Sequence, residues 1–191
     1  MSDTARKQII RIAGVLILLL AVAAALLPLE DKMPGRVVVG TLLLVGGVIE
    51  FAAAMARRIH RPSAAIAGAA TVLAGFRLVV DPGAGFFPVL NMVILWLVVR
   101  AAALAFAASR SSDPLQGWFV LTAATDFLLA VMLLAGLPIA LIVAGLFGPT
   151  SEIIATFSWI LAVSFIATGA FLIAAAPIEA SERENSAPVD D

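Results

Sequence analysis

The chain has 191 residues, of which 62% are hydrophobic and 13% are charged, and its formal net charge is −1. Soluble domains carry about 25% charged residues, and the mean hydropathy of this chain is +1.10, so its composition is that of an integral membrane protein. It contains no cysteine, which excludes a disulfide framework, a thiolate metal site and a cysteine nucleophile. The sequence also lacks a phosphate loop, a metal-ligand cluster and a histidine able to serve a buried serine. We therefore expect no enzyme activity and no cofactor.

The first three predicted membrane spans follow a short basic lead-in, residues 1–11. Span 1 covers residues 12–27 and ends at Pro28; it is longer than a signal-peptide core, so we expect it to be retained. Span 2 covers residues 37–56 and is closed by a basic loop, residues 57–61. Pro62 followed by Ser63 predicts a helix stop and a new N-cap, so span 3 covers residues 64–80.

The second half of the chain predicts three more spans. Span 4, residues 86–108, carries Arg100 well inside it, and Asp113, Pro114 and Gln116 predict the capped start of a helix. Span 5 covers residues 118–137. The apolar stretch 139–148 is too short to cross about 30 Å of hydrocarbon, so we interpret it as an interfacial or partly buried connector. Span 6 covers residues 153–176 and ends at Pro177, and residues 177–191 are predicted to be a disordered acidic tail.

The distribution of Lys and Arg predicts the orientation of these spans. Eight basic residues flank the spans on the side of the two termini, whereas only Lys32 and Arg36 lie on the opposite side. By the positive-inside rule, both termini are cytoplasmic.

An internal repeat predicts how the spans are arranged. In spans 1, 3 and 5 a small residue precedes a terminal proline by fourteen positions. Aligning spans 2, 4 and 6 makes Gly47, Arg100 and Gly169 equivalent. Each unit is then a two-helix hairpin, at residues 12–56, 64–108 and 118–176. Repeats with an even number of spans keep their orientation, so the predicted fold is an all-α bundle of six transmembrane helices with a pseudo-threefold axis along the membrane normal.

Hairpin repeats that end in proline, together with a fifth span reading GWFVLTAATDFLLAVMLLAGLP, resemble the HdeD-like acid-resistance membrane proteins over roughly residues 8–176. The most specific point is Asp126, twelve residues before Pro138, where members of that family can carry an aspartate. Arg100 departs from the pattern, since a glycine is expected there, and the apolar stretch after Pro138 is longer than usual. The resemblance implies a multi-pass protein of the bacterial inner membrane linked to acid or envelope stress. It implies no catalytic residues.

Three charged residues lie inside the spans at similar depth, roughly 10–15 Å from the cytoplasmic face: Glu50, Arg100 and Asp126. A functional interpretation has Arg100 shared between both acids, leaving one carboxylate to bind a proton or cation. A structural interpretation pairs Arg100 with one acid, while the other reaches the headgroups. Asp126 is the favoured partner because its short side chain cannot reach the interface, whereas Glu50 can.

Other polar residues form a second tier. Arg77 lies four residues before Asp81 at the end of span 3, which predicts a local ion pair or an interfacial arginine. Thr122 shares the helix face of Asp126. The basic loop suits anionic lipid headgroups, and we expect His60 within it to be solvated or lipid-facing. No nucleic-acid binding is expected.

Three functions remain open from the sequence. The first is a non-enzymatic HdeD-like protein of acid or envelope stress. The second is a small proton- or cation-coupled transporter or channel that uses Glu50, Arg100 and Asp126. The third is a membrane scaffold that assembles with itself or with another protein. In all three functions the protein contacts the lipid bilayer. In the third function it also forms a homo-oligomer or binds another protein.

Overall fold

A computed structural model of the protein describes residues 3–26, 35–57, 60–80, 86–111, 114–147 and 151–181, and all regular structure in these ranges is α-helical. The helices are α1 (Asp3–Leu26), α2 (Gly35–Ala56), α3 (Arg61–Val80), α4 (Phe86–Ser109), α5 (Gln116–Phe147) and α6 (Ser151–Ser181). Each of the six contains a segment long and apolar enough to cross a bilayer. The predicted all-α fold with six transmembrane helices is confirmed, and it suits a multi-pass membrane protein.

Two helix starts differ from the predictions. α1 begins at Asp3, so most of the basic lead-in is helical, and Arg6 donates from Nε to the carbonyl of Ala56 at the end of α2 over 2.8 Å. Ser63 is not an N-cap, because α3 already begins at Arg61 and Ser63 is buried inside the helix. The residue before α3 is His60, whose carbonyl accepts a hydrogen bond from Ala64 N at 3.1 Å.

The start of α5 also differs from the predicted cap. The helix begins at Gln116 rather than at Pro114, and Phe119 N donates to the carbonyl of Leu115 at 3.0 Å. Gln116 donates from Nε2 to the carbonyl of Ala108 at 3.3 Å, which joins the start of α5 to the end of α4. The predicted cap, Asp113, lies outside the described residues.

Two prolines lie inside helices that they were predicted to end. α5 continues through Pro138 to Phe147, so nine of the ten residues assigned to a connector extend the helix. α6 continues through Pro177 to Ser181, so the first residues of the predicted tail are helical, and residues 182–191 lie outside the described part. A membrane helix tolerates proline because ending the helix in hydrocarbon would leave several backbone groups without hydrogen-bond partners.

The helices pack as a closed ring in chain order, since α6 returns to α1. Extensive and smaller contacts alternate around the ring. The contacts of α2 with α3, α4 with α5 and α6 with α1 are extensive, whereas those of α1 with α2, α3 with α4 and α5 with α6 are smaller. The alternation recurs three times, as a threefold repeat requires. The closest pairs, however, join neighbouring repeats and are not the two helices of one predicted hairpin.

Glycines explain the close packing in two of the three extensive contacts. A Cβ atom on Gly47 would lie 2.5 Å from the backbone nitrogen of Val72, so α2 and α3 touch through their backbones here. Gly14 and Gly169 bring the backbones of α1 and α6 into contact, since a Cβ atom on either glycine would lie 2.9 Å from the carbonyl oxygen of the other. Small residues allow membrane helices to approach closely enough for such backbone contact.

The third extensive contact, between α4 and α5, has no glycine at the equivalent position. The alignment of the predicted repeats makes Arg100 equivalent to Gly47 and Gly169. The buried residues of α4 and α5 include the alanines Ala101, Ala107, Ala108, Ala123 and Ala130. A groove with a volume of about 640 Å³ separates α4 from α5 on the outer surface. Its lining consists of Val98, Ala101, Ala102, Ala105, Ala108, Ser109, Gln116, Val120, Ala123, Ala124 and Phe127.

Replacing Gly47 by alanine tests the glycine contact. We expect Gly47→Ala to lower the free energy of unfolding by about 1–3 kcal/mol, because the new methyl group meets backbone that cannot move aside cheaply. Titration of the protein in detergent micelles with a denaturing detergent, followed by circular dichroism, measures this change. Gly136→Ala is the matched control, since nothing lies within 4 Å of its Cβ position; equal destabilisation by both variants would contradict the prediction.

Candidate functional site

The centre of the bundle is occupied by the guanidinium group of Arg100, which is fully buried. Its Nε donates to Oδ2 of Asp126 at 2.9 Å, and its Nη1 donates to Oε2 of Glu50 at 2.8 Å. Its Nη2 donates to the hydroxyl of Thr168 at 2.6 Å. The structure thus brings the three predicted charged residues together, and each guanidinium nitrogen has an acceptor. Both acids bind Arg100 over similar distances, so neither is its sole partner.

Hydroxyl groups complete the shell around the two carboxylates. Ser164 donates to Oδ1 of Asp126 at 2.6 Å. The Thr71 hydroxyl lies 3.2 Å from Oε2 of Glu50 and 2.9 Å from the carbonyl oxygen of Ala67, and it donates to one of them at a time because it has a single hydrogen. Trp96 donates from its indole nitrogen to Thr71 at 2.9 Å. A polar chain therefore runs from Trp96 through Thr71 and Glu50 to Arg100.

We call the side chains that meet in this way the central network: Glu50, Thr71, Trp96, Arg100, Asp126, Ser164 and Thr168. They come from α2, α3, α4, α5 and α6, so five helices of the ring contribute. The sequence prediction missed Thr71, Trp96, Ser164 and Thr168 as members. A signal existed, because Ser164 and Thr168 lie four residues apart on one face of span 6, and hydroxyls in membrane helices hydrogen-bond across helix contacts.

A second arginine lies close to the central network. Arg57 is only 3% exposed, and its guanidinium carbon lies 5.3 Å from the ring centre of Phe119 and 4.9 Å from that of Phe171. These are cation–π distances. The expectation that the basic loop faces lipid headgroups is therefore wrong for Arg57. Including it, two guanidinium groups and two carboxyl groups lie in this part of the bundle.

His60 also differs from its predicted surroundings. It is half-buried rather than solvated or lipid-facing, and its Nε2 shares a hydrogen bond of 2.9 Å with the hydroxyl of Ser111. Its ring meets that of Phe119 edge to face at 5.1 Å. Its backbone is left-handed, with φ of 51°. His60 thus packs against the same aromatic ring as Arg57 and joins the loop before α3 to the turn after α4.

A small enclosed cavity lies between Arg57 and the central network. Its volume of about 10 Å³ is close to the minimum that holds one water molecule. Five of the residues that line it have polar side chains, Glu50, Arg57, Arg100, Thr122 and Thr168, and the others are apolar and include Phe171 and Leu172. Thr122, the predicted second-tier residue, lines this cavity and donates its hydroxyl hydrogen to the carbonyl of Trp118 at 2.9 Å.

The two carboxylates differ in their access to this cavity. The side chain of Glu50 keeps 10% of its exposure, whereas that of Asp126 has none. The other predicted second-tier residues lie elsewhere: Arg77 is exposed on α3, and Asp81 lies outside the described residues, so their pairing stays a prediction. In the described ranges no group of three His, Asp or Glu side chains could hold a metal ion.

Comparisons with protein-family models, with curated proteins and with solved structures find no match for this chain. The resemblance to HdeD-like proteins therefore stays an expectation from the sequence.

Removing Arg100 tests whether the carboxylates depend on it. We expect Arg100→Leu to destabilise the protein by about 3–5 kcal/mol, because two buried carboxylates lose their shared counter-charge. Adding Asp126→Leu or Glu50→Leu should recover much of the loss, since each removes one of the unpaired charges. Denaturing-detergent titration of the single and double variants gives the coupling free energies.

Arg77→Leu is the control for this series, because it removes an exposed arginine from a neighbouring helix. We expect it to change the free energy of unfolding by less than about 1 kcal/mol. Double variants as unstable as the sum of the single variants would show that Arg100 is not coupled to these acids.

Proposed function

We propose that this protein is a non-enzymatic, proton-responsive protein of the bacterial inner membrane that acts in acid or envelope stress, as the HdeD-like proteins it resembles are expected to do. One observation carries the proposal: a single buried guanidinium group, that of Arg100, is shared between two carboxylates, and one of these borders a cavity of the size of a water molecule. The arrangement can exist in two charge states, with both carboxyls ionised or with one of them protonated, because Arg100 needs only one carboxylate partner.

An arginine in a membrane interior needs at least one carboxylate or a water-filled space. Arg100 has two carboxylates, Glu50 and Asp126, so it stays paired when one of them takes up a proton. The second carboxylate is then a site at which acid changes the charge of the bundle interior without leaving Arg100 alone. A structural ion pair needs only one acid, and the second acid is the feature that favours a response to protons.

Protonation of a carboxylate in the network can change how the helices pack. A neutral carboxyl at either acid weakens its charge-assisted bond to Arg100, since hydrogen bonds between ionised groups are about twice as strong as neutral ones. The affected bonds join α4 to α2 or to α5. Protonation therefore loosens one helix contact while the other is kept, which is the kind of local electrostatic change that shifts a helix bundle between two arrangements.

Trp96 reports on this change, because its indole donates to Thr71 and the Arg100 guanidinium lies 5.6 Å from its ring centre. In a variant carrying Trp118→Phe and Trp159→Phe, Trp96 is the sole tryptophan of the chain. We expect its fluorescence emission to shift on acidification in nanodiscs. Adding Glu50→Gln and Asp126→Asn should abolish the shift.

The matched control keeps only Trp159, which is 59% exposed on α6 and is not a member of the central network. We expect its emission to be constant over the same pH range. A pH response of Trp96 that survives removal of both carboxylates, or no response in the parent variant, would contradict the proposed function.

A proton- or cation-coupled transporter or channel is the second candidate. The observation that favours it is that the network lies in the interior of the ring, where an ion path would run, and that five of the six helices contribute to it. Purified protein in liposomes under a pH gradient separates the two candidates. We expect no flux above that of empty liposomes; flux that disappears in Glu50→Gln or Asp126→Asn would instead establish transport.

The orientation is part of the proposal and rests on the charge distribution, with eight basic residues flanking the spans on the side of the termini and two on the other. It places both termini and the Arg57 end of the bundle in the cytoplasm. Reporter fusions at Asp31, Gly83 and Ser151 are expected to lie on the outer side. Cytoplasmic signals at two of these sites would overturn the orientation.

A further inference from the structure

The cavity beside Glu50 points to the route by which a proton reaches the central network. We infer that Glu50 is the carboxyl that exchanges the proton, through one water molecule held between it and Arg57, and that Arg57 restricts entry from its own end of the bundle. This inference rests on the proposed function and adds to it the proton-binding group, the access side and the residue that controls access.

The surroundings of the two acids favour Glu50 over Asp126 as the exchanging group. Asp126 is fully buried, and its two carboxylate oxygens accept from Arg100 and Ser164 respectively. Among the described residues, both hydrogen bonds to Glu50 fall on Oε2, from Arg100 and from Thr71. Oε1 of Glu50 is therefore the carboxylate oxygen at which a proton can be added with the existing hydrogen bonds intact.

The water molecule has partners enough to be held in the cavity. Buried water typically makes about three hydrogen bonds, and the residues that line the cavity include five with polar side chains: Glu50, Arg57, Arg100, Thr122 and Thr168. In the exchange step, a hydronium ion formed at this water gives its proton to Oε1 of Glu50. The products are a neutral carboxyl and a neutral water, and the network gains one positive charge.

Groups on several helices around Glu50 influence whether its carboxyl is ionised or protonated. Arg100 of α4 and Arg57, which directly follows α2, favour its ionised form, and Asp126 of α5 opposes it through like charge. The hydroxyl of Thr71 on α3 lies 3.2 Å from its Oε2, and Thr168 of α6 lines the cavity. After protonation, Arg100 keeps its bonds to Asp126 and Thr168. The charges thus permit one proton, on Glu50, without leaving Arg100 unpaired.

Arg57 has the position of a barrier. It lies seven residues after Glu50 in the chain, lines the cavity and is buried against Phe119 and Phe171. A cation beside the cavity repels an incoming hydronium ion. The two aromatic rings exclude bulk water from the same side. Removal of the Arg57 charge should therefore speed proton exchange.

Infrared difference spectra between neutral and acid pH identify the group that takes the proton, because a protonated carboxyl has a C=O stretching band that an ionised one lacks. We expect this band in the wild-type protein and in Asp126→Asn, and its loss in Glu50→Gln. Loss in Asp126→Asn with retention in Glu50→Gln would overturn the inference but leave the proposed function standing. Absence of a carboxyl band from the wild-type protein would overturn both.

Stopped-flow pH jumps, followed by the emission of Trp96 in the Trp118→Phe, Trp159→Phe background, test the entry route. We expect Arg57→Gln to speed the response roughly tenfold, by removal of the repelling charge. Arg61→Gln is the matched control: it removes the same charge from an exposed residue four positions away and should leave the rate unchanged.

Arg57→Lys covers the case in which Arg57→Gln fails to fold. It keeps the charge, so the rate should stay within about threefold of the parent, and the carboxyl band of Glu50 should remain. Equal rates in the parent and in Arg57→Gln, or an effect of Arg61→Gln as large as that of Arg57→Gln, would overturn the assignment of Arg57 as the barrier. A tenfold faster response in Arg57→Lys would do the same.

Discussion

The structure depends on one requirement: a guanidinium group that cannot lose its charge lies in the interior of a membrane bundle. Arginine stays protonated in proteins and presents its donors in a rigid planar fork. Each nitrogen of the Arg100 guanidinium group therefore needs an acceptor, and in this bundle the three acceptors come from three different helices. Glu50 of α2, Asp126 of α5 and Thr168 of α6 supply these acceptors, so the position of one side chain on α4 determines how three other helices must face.

The same residue breaks the threefold pattern of the ring. In two of its extensive contacts a glycine brings helix backbones together, at Gly47 and at Gly169. In the third contact the equivalent position is Arg100, and α4 and α5 are joined by its ion pair with Asp126 and by alanines, with a groove between them on the outside. The contact between α4 and α5 thus has a charged centre where the other two extensive contacts have close backbone packing.

Such a centre is a poor means of gaining stability. Replacing a buried ion pair by apolar side chains of similar volume is often neutral or stabilising, because the charges must be removed from water. Under the proposed function, the network of Glu50, Arg100 and Asp126 provides a change of state instead, since one proton would alter its charge and its bonds. Arg57, whose guanidinium group lies over the rings of Phe119 and Phe171, adds a second cation beside the network. This combination is the physical basis for interpreting the site as a proton-responsive element.

The amino-acid sequence by itself determined the six spans and the position of Arg100 within the fourth of them, because the length of an apolar run and the place of a charge within it are local properties of the chain. It also determined that Arg100 needs a carboxylate and that Glu50 and Asp126 were the candidates. The tertiary structure decided that both acids bind Arg100, that Thr71, Ser164 and Thr168 complete the shell, and that Arg57 is buried. It also decided that α5 and α6 continue through Pro138 and Pro177. These features depend on which helix faces meet, and that choice follows from the packing of residues far apart in the chain, which no local pattern contains.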